Sequence, residues 1–340
     1  MAVPQKNCSN EDCNYRVDGK CVEGYALEEC PHISSILVEE IEEIEEPESA
    51  PEANPIISLF LGEALSREKA SELQRKSRSR AVSIVGPADA GKTSLVASIF
   101  DLFQKGPFAT FNFAGSSTLI GFEKVCHDAR AASRRDAPHM ERTIAGAEAT
   151  FFHLDLLSAQ SDLVSLFISD RSGEDYLAAA DDISRADEFF ELRRADVVTL
   201  LVNGEHLTMS ENRHEVKATT PQIVDALVEA EALRQGGRLA VVLTKQDSVV
   251  ASPHTVRVQK EFDEIVDAII QHHGEYFSDI GRFSIAASPR EAEEVKRGEG
   301  VDNLLRYWLL AAKTPTASRS TESGSTRMID LLDSFVKEAT

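Results

Sequence analysis

Residues Gly86-Pro87-Ala88-Asp89-Ala90-Gly91-Lys92-Thr93 fill every position of the phosphate-binding loop pattern G-x-x-x-x-G-K-[ST]. The setting constrains the fold more than the match does. A short apolar run, Ala81–Val85, precedes the loop, and a helical pattern follows it to about Gln104. Strand, loop and helix in that order aim backbone N–H groups and a helix N-terminus at one point, which is where a polyphosphate binds. Gly86, Asp89, Ala90, Gly91, Lys92, Thr93 and Ser94 are therefore the candidate phosphate contacts. Lys92 is placed to reach the β and γ phosphates, and the Thr93 hydroxyl to ligate Mg²⁺.

The rest of the chain supplies a sheet for such a loop. Residues 148–157 and 162–169 read as paired strands, and Val197–Val202, Leu239–Thr244 and Phe283–Ala287 as further apolar strands. Helical patterns fall near 220–235, 255–273 and 301–312, and a long polar stretch at 106–147 reads as loop. This alternation predicts an α/β fold, a mostly parallel sheet with helices on both faces. Trp308, with Leu304, Leu305 and Leu309, reads as the buried face of the last helix.

A phosphate loop does not distinguish adenine from guanine. Thr244-Lys245-Gln246-Asp247 closes the strand 239–244, and a carboxylate there can accept two hydrogen bonds from the guanine N1–H and 2-amino groups, which adenine lacks. Asp247 is the candidate base reader, with Thr244 and Lys245 beside it. Asp170-Arg171-Ser172-Gly173-Glu174 follows another strand. Asp170 is placed to hold a Mg²⁺-bound water and Gly173 to offer its N–H to a γ-phosphate.

In this order the three motifs resemble the TRAFAC class of GTPases, which includes Ras-like proteins and translation factors. The resemblance covers roughly 80–312 and implies a Ras-like core, GTP/GDP and Mg²⁺ as ligands, and a switch read by a protein partner. It also implies that the Ala287 amide, in Ser284-Ile285-Ala286-Ala287-Ser288, meets the guanine oxygen. More narrowly, Phe113–Glu123, Arg142-Thr143 and Ser169–Glu174 resemble the bacterial double-GTPase family, which implies a conflict or phage-defence setting. Thr143 best fits the switch threonine that ligates Mg²⁺ when a γ-phosphate is present, with Ser117 and Thr118 as alternatives.

Two positions depart from the class. Glu174 stands where Ras-like proteins carry the glutamine that orients the attacking water, and a carboxylate beside the γ-phosphate is electrostatically awkward. The expectation is slow hydrolysis, completed by a partner or a cation, with Arg142 either a charge-stabilising group or a solvent-facing loop residue. Asp89, inside the loop, either helps hold K⁺ or is a solvated acid.

Outside 80–312 the chain changes character. Residues 1–35 hold four of the five cysteines, Cys8, Cys13, Cys21 and Cys30. Four thiolates in a head too small to bury a core point to structural Zn²⁺, with His32 as a substitute ligand and redox thiols or two disulfides as the other uses. Residues 36–55 are an acidic, proline-rich linker, 56–79 a lead-in amphipathic helix, and 313–340 a flexible tail with a short helix over Met328–Val336. The formal net charge of −21 argues against bulk nucleic-acid binding. No apolar run approaches the roughly 20 residues of a membrane span, so a cytoplasmic location is expected. A nucleotide-binding scaffold without hydrolysis, and a P-loop ATPase, are the competing readings.

Overall fold

The computed structural model of the chain describes residues 62–133, 146–289 and 295–310, together with 6–8 and 33–35; at 6–8, 33–35 and 128–133 it describes the backbone alone. Two compact units divide the chain, Met1–Ser58 and Leu59–Thr340. In the first, β1 (Lys6–Cys8) pairs antiparallel with β2 (Ile33–Ser35), setting Cys8 opposite Ile33. The other candidate zinc ligands, Cys13, Cys21, Cys30 and His32, lie outside the described residues, as do Arg142, Thr143 and the tail helix.

The second unit is built on seven strands in the order β4-β5-β6-β3-β7-β8-β9. These are β3 (Ser79–Val85), β4 (Phe111–Gly115), β5 (Thr150–Ser158), β6 (Leu163–Asp170), β7 (Val197–Asn203), β8 (Arg238–Thr244) and β9 (Asp279–Ser284). From β6 to β9 all pairings are parallel, and β4 and β5 extend the sheet antiparallel at one edge. The central strands are apolar on both faces because helices cover both. Val82 and Ile84, Ala240 and Val242 pack on one face, while Val85, Leu239, Val241 and Leu243 pack on the other.

Helices α2 (Lys92–Gln104), α3 (Leu119–Ser133) and α10 (Val301–Leu309) pack on the first face. On the second lie α4 (Gly173–Asp181), α5 (Phe190–Arg193), α6 (Gly204–Thr208), α7 (Arg213–Glu229), α8 (Gln246–Ala251) and α9 (Thr255–His273). The lead-in helix α1 is shorter than its sequence pattern suggests, Arg67–Gln74, and Leu65 before it bridges to Phe151.

Two sequence expectations are corrected. The stretch read as polar loop contains β4 and α3, whose Phe122 and Cys126 are fully buried. The last strand runs Asp279–Ser284 and stops before the apolar Ile285-Ala286-Ala287, because those residues are buried as a loop at the strand's end. Trp308 is fully buried, and its indole N–H donates to Thr199 Oγ1 at 2.8 Å. Buried Arg238 of β8 donates to the carbonyls of Tyr307, Trp308 and Leu310 at 2.6, 3.2 and 3.1 Å. A cation at a helix C-terminus satisfies carbonyls that have no partner within the helix.

Candidate nucleotide site

All the motifs emerge at the C-terminal edge of the parallel strands, on either side of β3, where an α/β sheet opens a crevice. After Val85 the chain turns through Gly86–Gly91. Gly91, at φ 93°, caps α2 in the left-handed conformation that glycine adopts without steric cost. Lys92 opens the helix and is buried. Its Nζ lies across the loop, donating to the carbonyls of Gly86 and Pro87 at 3.0 Å each. Burial lowers the ammonium's pKa, and the charges of Asp170, Asp175 and Asp89 oppose that shift. Thr93 follows at the start of the helix, and Asp170, buried at the end of β6, is among the acids nearest Lys92 in effect.

The turn after Asp170 presses directly on the phosphate loop. A Cβ built on Gly173 would collide with Ala88 N and Pro87 C and stand 2.6 Å from Lys92 Nζ. Only glycine fits so close to the loop. Ser172 caps α4 by accepting from Glu174 N at 3.4 Å, and the Glu174 side chain is exposed. Arg171 turns inward. Its Nε donates to Glu191 Oε1 at 2.6 Å and its Nη2 to Oε2 at 3.3 Å, with the guanidinium 4.6 Å over the Phe189 ring. Burial opposes the charge on Arg171, but the hydrogen bond and charge of Glu191 outweigh it and raise the pKa above the ordinary arginine value.

At the base end, Lys245 adopts a left-handed φ of 52°. Its Nζ donates to Asp89 Oδ2 at 2.7 Å and to Glu205 Oε2 at 2.8 Å. Gln246 N donates to Ile285 O at 3.1 Å, fastening the Thr244–Asp247 motif to the segment that carries Ala287. Thr244 uses its hydroxyl on Val202 O at 3.1 Å. Asn203, at the end of β7, donates from Nδ2 to Asp89 O at 3.1 Å and caps α6 by accepting from His206 N. Asp247 is half-buried in the first turn of α8.

A family model described as Double-GTPase 2 matches residues 80–309. The chain belongs to that family. No curated protein matches it. Among solved structures it is similar to a chain of the signal recognition particle receptor SRb-GTP/SRX complex from Chaetomium thermophilum, at 15% identity and a TM-score of 0.37, covering 67% of this chain and 95% of that one. It is also similar to Roco2 RocCORdC from Methanosarcina barkeri bound to GDP, at 16% identity and a TM-score of 0.33, covering 69% of this chain and 50% of that one.

Within this Double-GTPase 2 member, several details differ from the sequence expectations. Asp89 is an exposed loop acid whose carboxylate pairs with Lys245. Thr118 is fully buried and exchanges hydrogen bonds with the backbone of His153, donating to its carbonyl at 3.3 Å and accepting from its N–H at 2.9 Å. Ser117 N donates to His153 Nδ1 at 3.0 Å. His153 pairs with Phe167, three positions before Asp170 in the strand register, so this turn sits about 10 Å down the sheet from the Mg²⁺ candidates. The Thr118 hydroxyl is thus engaged with the His153 backbone. Asn203, Glu205, Asp175 and Glu191 escaped the sequence reading. Asn203 alone carried a signal, an Asn-Gly at the end of an apolar strand.

Among the described residues no group of three or more His, Cys, Asp or Glu side chains converges on a metal position, and no helix is long and apolar enough to cross a membrane. A cavity of about 350 Å³ under α1, lined by Arg67, Phe151, Phe167, Phe190 and Arg194, is separate from the nucleotide motifs.

Proposed function

We propose that this chain is a GTP-binding and GTP-hydrolysing switch whose state is read by a protein partner. The observation that carries the reading is the salt bridge between Lys245 and Asp89. It joins the phosphate loop to the base motif across 156 positions of sequence, so two motifs meet in one site. Their union supports guanine nucleotide over an accidental Thr-Lys-Gln-Asp.

In this reading Lys92 neutralises the β and γ phosphates, and the backbone N–H groups of Ala88–Lys92 cradle them. Gly173 N–H meets the γ-phosphate, the Asp247 carboxylate accepts from the guanine edge, and the Ala287 amide faces the guanine oxygen. Thr93 hydroxyl and Asp170 carboxylate are hard oxygen donors. They suit Mg²⁺, which binds through one or two protein groups, waters and phosphate oxygens. Bound there, the ion would neutralise charge developing on the phosphates. Thr143, outside the described residues, is the proposed switch ligand. Glu174 points to solvent, so the chain supplies no glutamine-like group at that position. Slow intrinsic hydrolysis, completed by a partner or a cation, follows from that.

Asp247→Asn tests base reading. It should weaken GTP binding at least about tenfold, since each lost paired hydrogen bond costs about 1 kcal/mol or more, and shift preference toward xanthine nucleotide. Calorimetry with GTP, XTP and ATP reads the outcome, and single-turnover hydrolysis of GTP against ATP accompanies it. Equal affinity of the unsubstituted chain for ATP and GTP would overturn the proposal.

A further inference from the structure

Arg171 stands one residue after Asp170 and two before Gly173, and it is the most heavily engaged side chain in that turn. Its five N–H donors point three ways. Nε and Nη2 grip Glu191 as a fork, a geometry that arginine's planar head matches and lysine's does not. Nη2 also donates to Glu188 O at 3.4 Å, and Nη1 to Ala147 O at 3.3 Å. Nη1 further lies 3.6 Å from Asp175 Oδ2, while the other oxygen of Asp175 accepts from Gly146 N at 2.8 Å. Glu191 is itself tied to β3, its carbonyl accepting from Ser83 Oγ at 3.1 Å.

These bonds connect three stretches remote in sequence. One is the Asp170–Gly173 turn, in contact with the phosphate loop. Another is Gly146–Ala147, where the chain leads into β5. The third is Glu188–Glu191. The antiparallel course of β5 makes the meeting possible, because Thr150 pairs with Asp170 and so β5 begins at the nucleotide end of the sheet.

We infer that Arg171 is a positioning residue that makes these three stretches one mechanical unit, so that a nucleotide-dependent shift at Gly173 reaches Gly146–Ala147 and Glu188–Glu191 together. The inference rests on the GTP-switch reading above. The contact between Gly173 and the phosphate loop leaves the turn little freedom to move without the loop. Arg171 leaves the other two stretches little freedom to move without the turn.

The experiment is hydrogen exchange on the full chain with GDP and with a non-hydrolysable GTP analogue, following peptides that cover 146–152, 183–193 and 86–93. Affinity for both nucleotides is measured in parallel. In the unsubstituted chain the analogue should slow exchange at 146–152 and 183–193 at least several-fold relative to GDP. In Arg171→Lys, and in the double variant Arg171→Met/Glu191→Leu, the analogue should still protect 86–93, while that difference disappears from the other two peptides. Should both variants fail to fold, Asp175→Ala decides. It keeps the Arg171–Glu191 pair and the Arg171 bond to Ala147 O but removes the Asp175 acceptor of Gly146 N, and it should reduce the difference at 146–152 while leaving it whole at 183–193. Variants that bind both nucleotides and keep the full difference in all three peptides overturn the inference, as does an unsubstituted chain that binds GTP with no difference at 146–152. Failure of the unsubstituted chain to prefer GTP over ATP strikes the functional reading instead.

Discussion

Each end of the nucleotide site is held by a cation between carboxylates, but the two arrangements differ in solvent. At the phosphate end the Arg171 and Glu191 side chains are 4% and 0% exposed. At the base end Lys245 is 17% exposed, Glu205 15% and Asp89 66%. A sealed pair gains little net free energy over an apolar substitute, because desolvation offsets its attraction, yet losing one member leaves a buried charge uncompensated. An open pair is screened by water and salt and contributes roughly 0.2–1 kcal/mol. The phosphate end is therefore sealed around its pair, and the base end is open to solvent on the Asp89 side of its lysine.

Four single substitutions and one double variant would break or sharpen this contrast. The largest effect belongs to Gly173→Ala. Its methyl group would strike the phosphate-loop backbone and Lys92 Nζ, so affinity for GTP should fall by about a hundredfold or more, roughly 2.7 kcal/mol. Calorimetry that finds native GTP affinity in this variant would show that the turn can withdraw freely from the loop. Next comes Glu191→Gln, which strands Arg171 in the interior and should cost about 3–5 kcal/mol of unfolding free energy in urea titrations. Arg171→Met/Glu191→Leu should regain most of that loss. A double variant no more stable than the single one would mean the pair stabilises the fold in its own right. The smallest effect is expected of Glu205→Gln and Asp89→Asn, each changing GTP affinity by no more than about fivefold, or 1 kcal/mol. Those changes should shrink as salt is raised toward 1 M, where the screening length is about 3 Å. A salt-independent loss would place the Lys245 cluster with the sealed pair.

The sheet and the motif positions were legible in the sequence wherever a strand is buried on both faces. Val197–Val202 and Leu239–Thr244 are unbroken apolar runs and were read to within a residue. Strand β4 was not, because Asn112, Phe113 and Ala114 are exposed on the sheet's edge and offer no clean alternation. In α3 the exposed Leu119 and Ile120 blurred the helical stripe of Phe122, Val125 and Cys126. The site divides in the same way. Lys92, Asp170, Gly173 and Asp247 sit in local patterns whose spacing states their chemistry. Glu191 lies 20 positions from Arg171 and meets it only through the return of the chain over the sheet, and nothing in either residue's neighbourhood announces the other. Glu174 was visible as a departure, but its exposure depends on the capping of α4 by Ser172.

The grip of Arg238 on α10 ties the end of that helix to the sheet. Three carbonyls, those of Tyr307, Trp308 and Leu310, converge on a guanidinium carried by β8. The terminal turn thus belongs to the sheet as much as to its own helix. A chain cut before Tyr307 would give up the indole bond to Thr199 and leave the Arg238 cation enclosed with no acceptor from the helix. A cut just beyond Leu310 would spare every one of these contacts. The last turn of α10 is thus held by an arginine some 70 positions upstream, so its hold on the sheet is set by β8 as much as by its own helix.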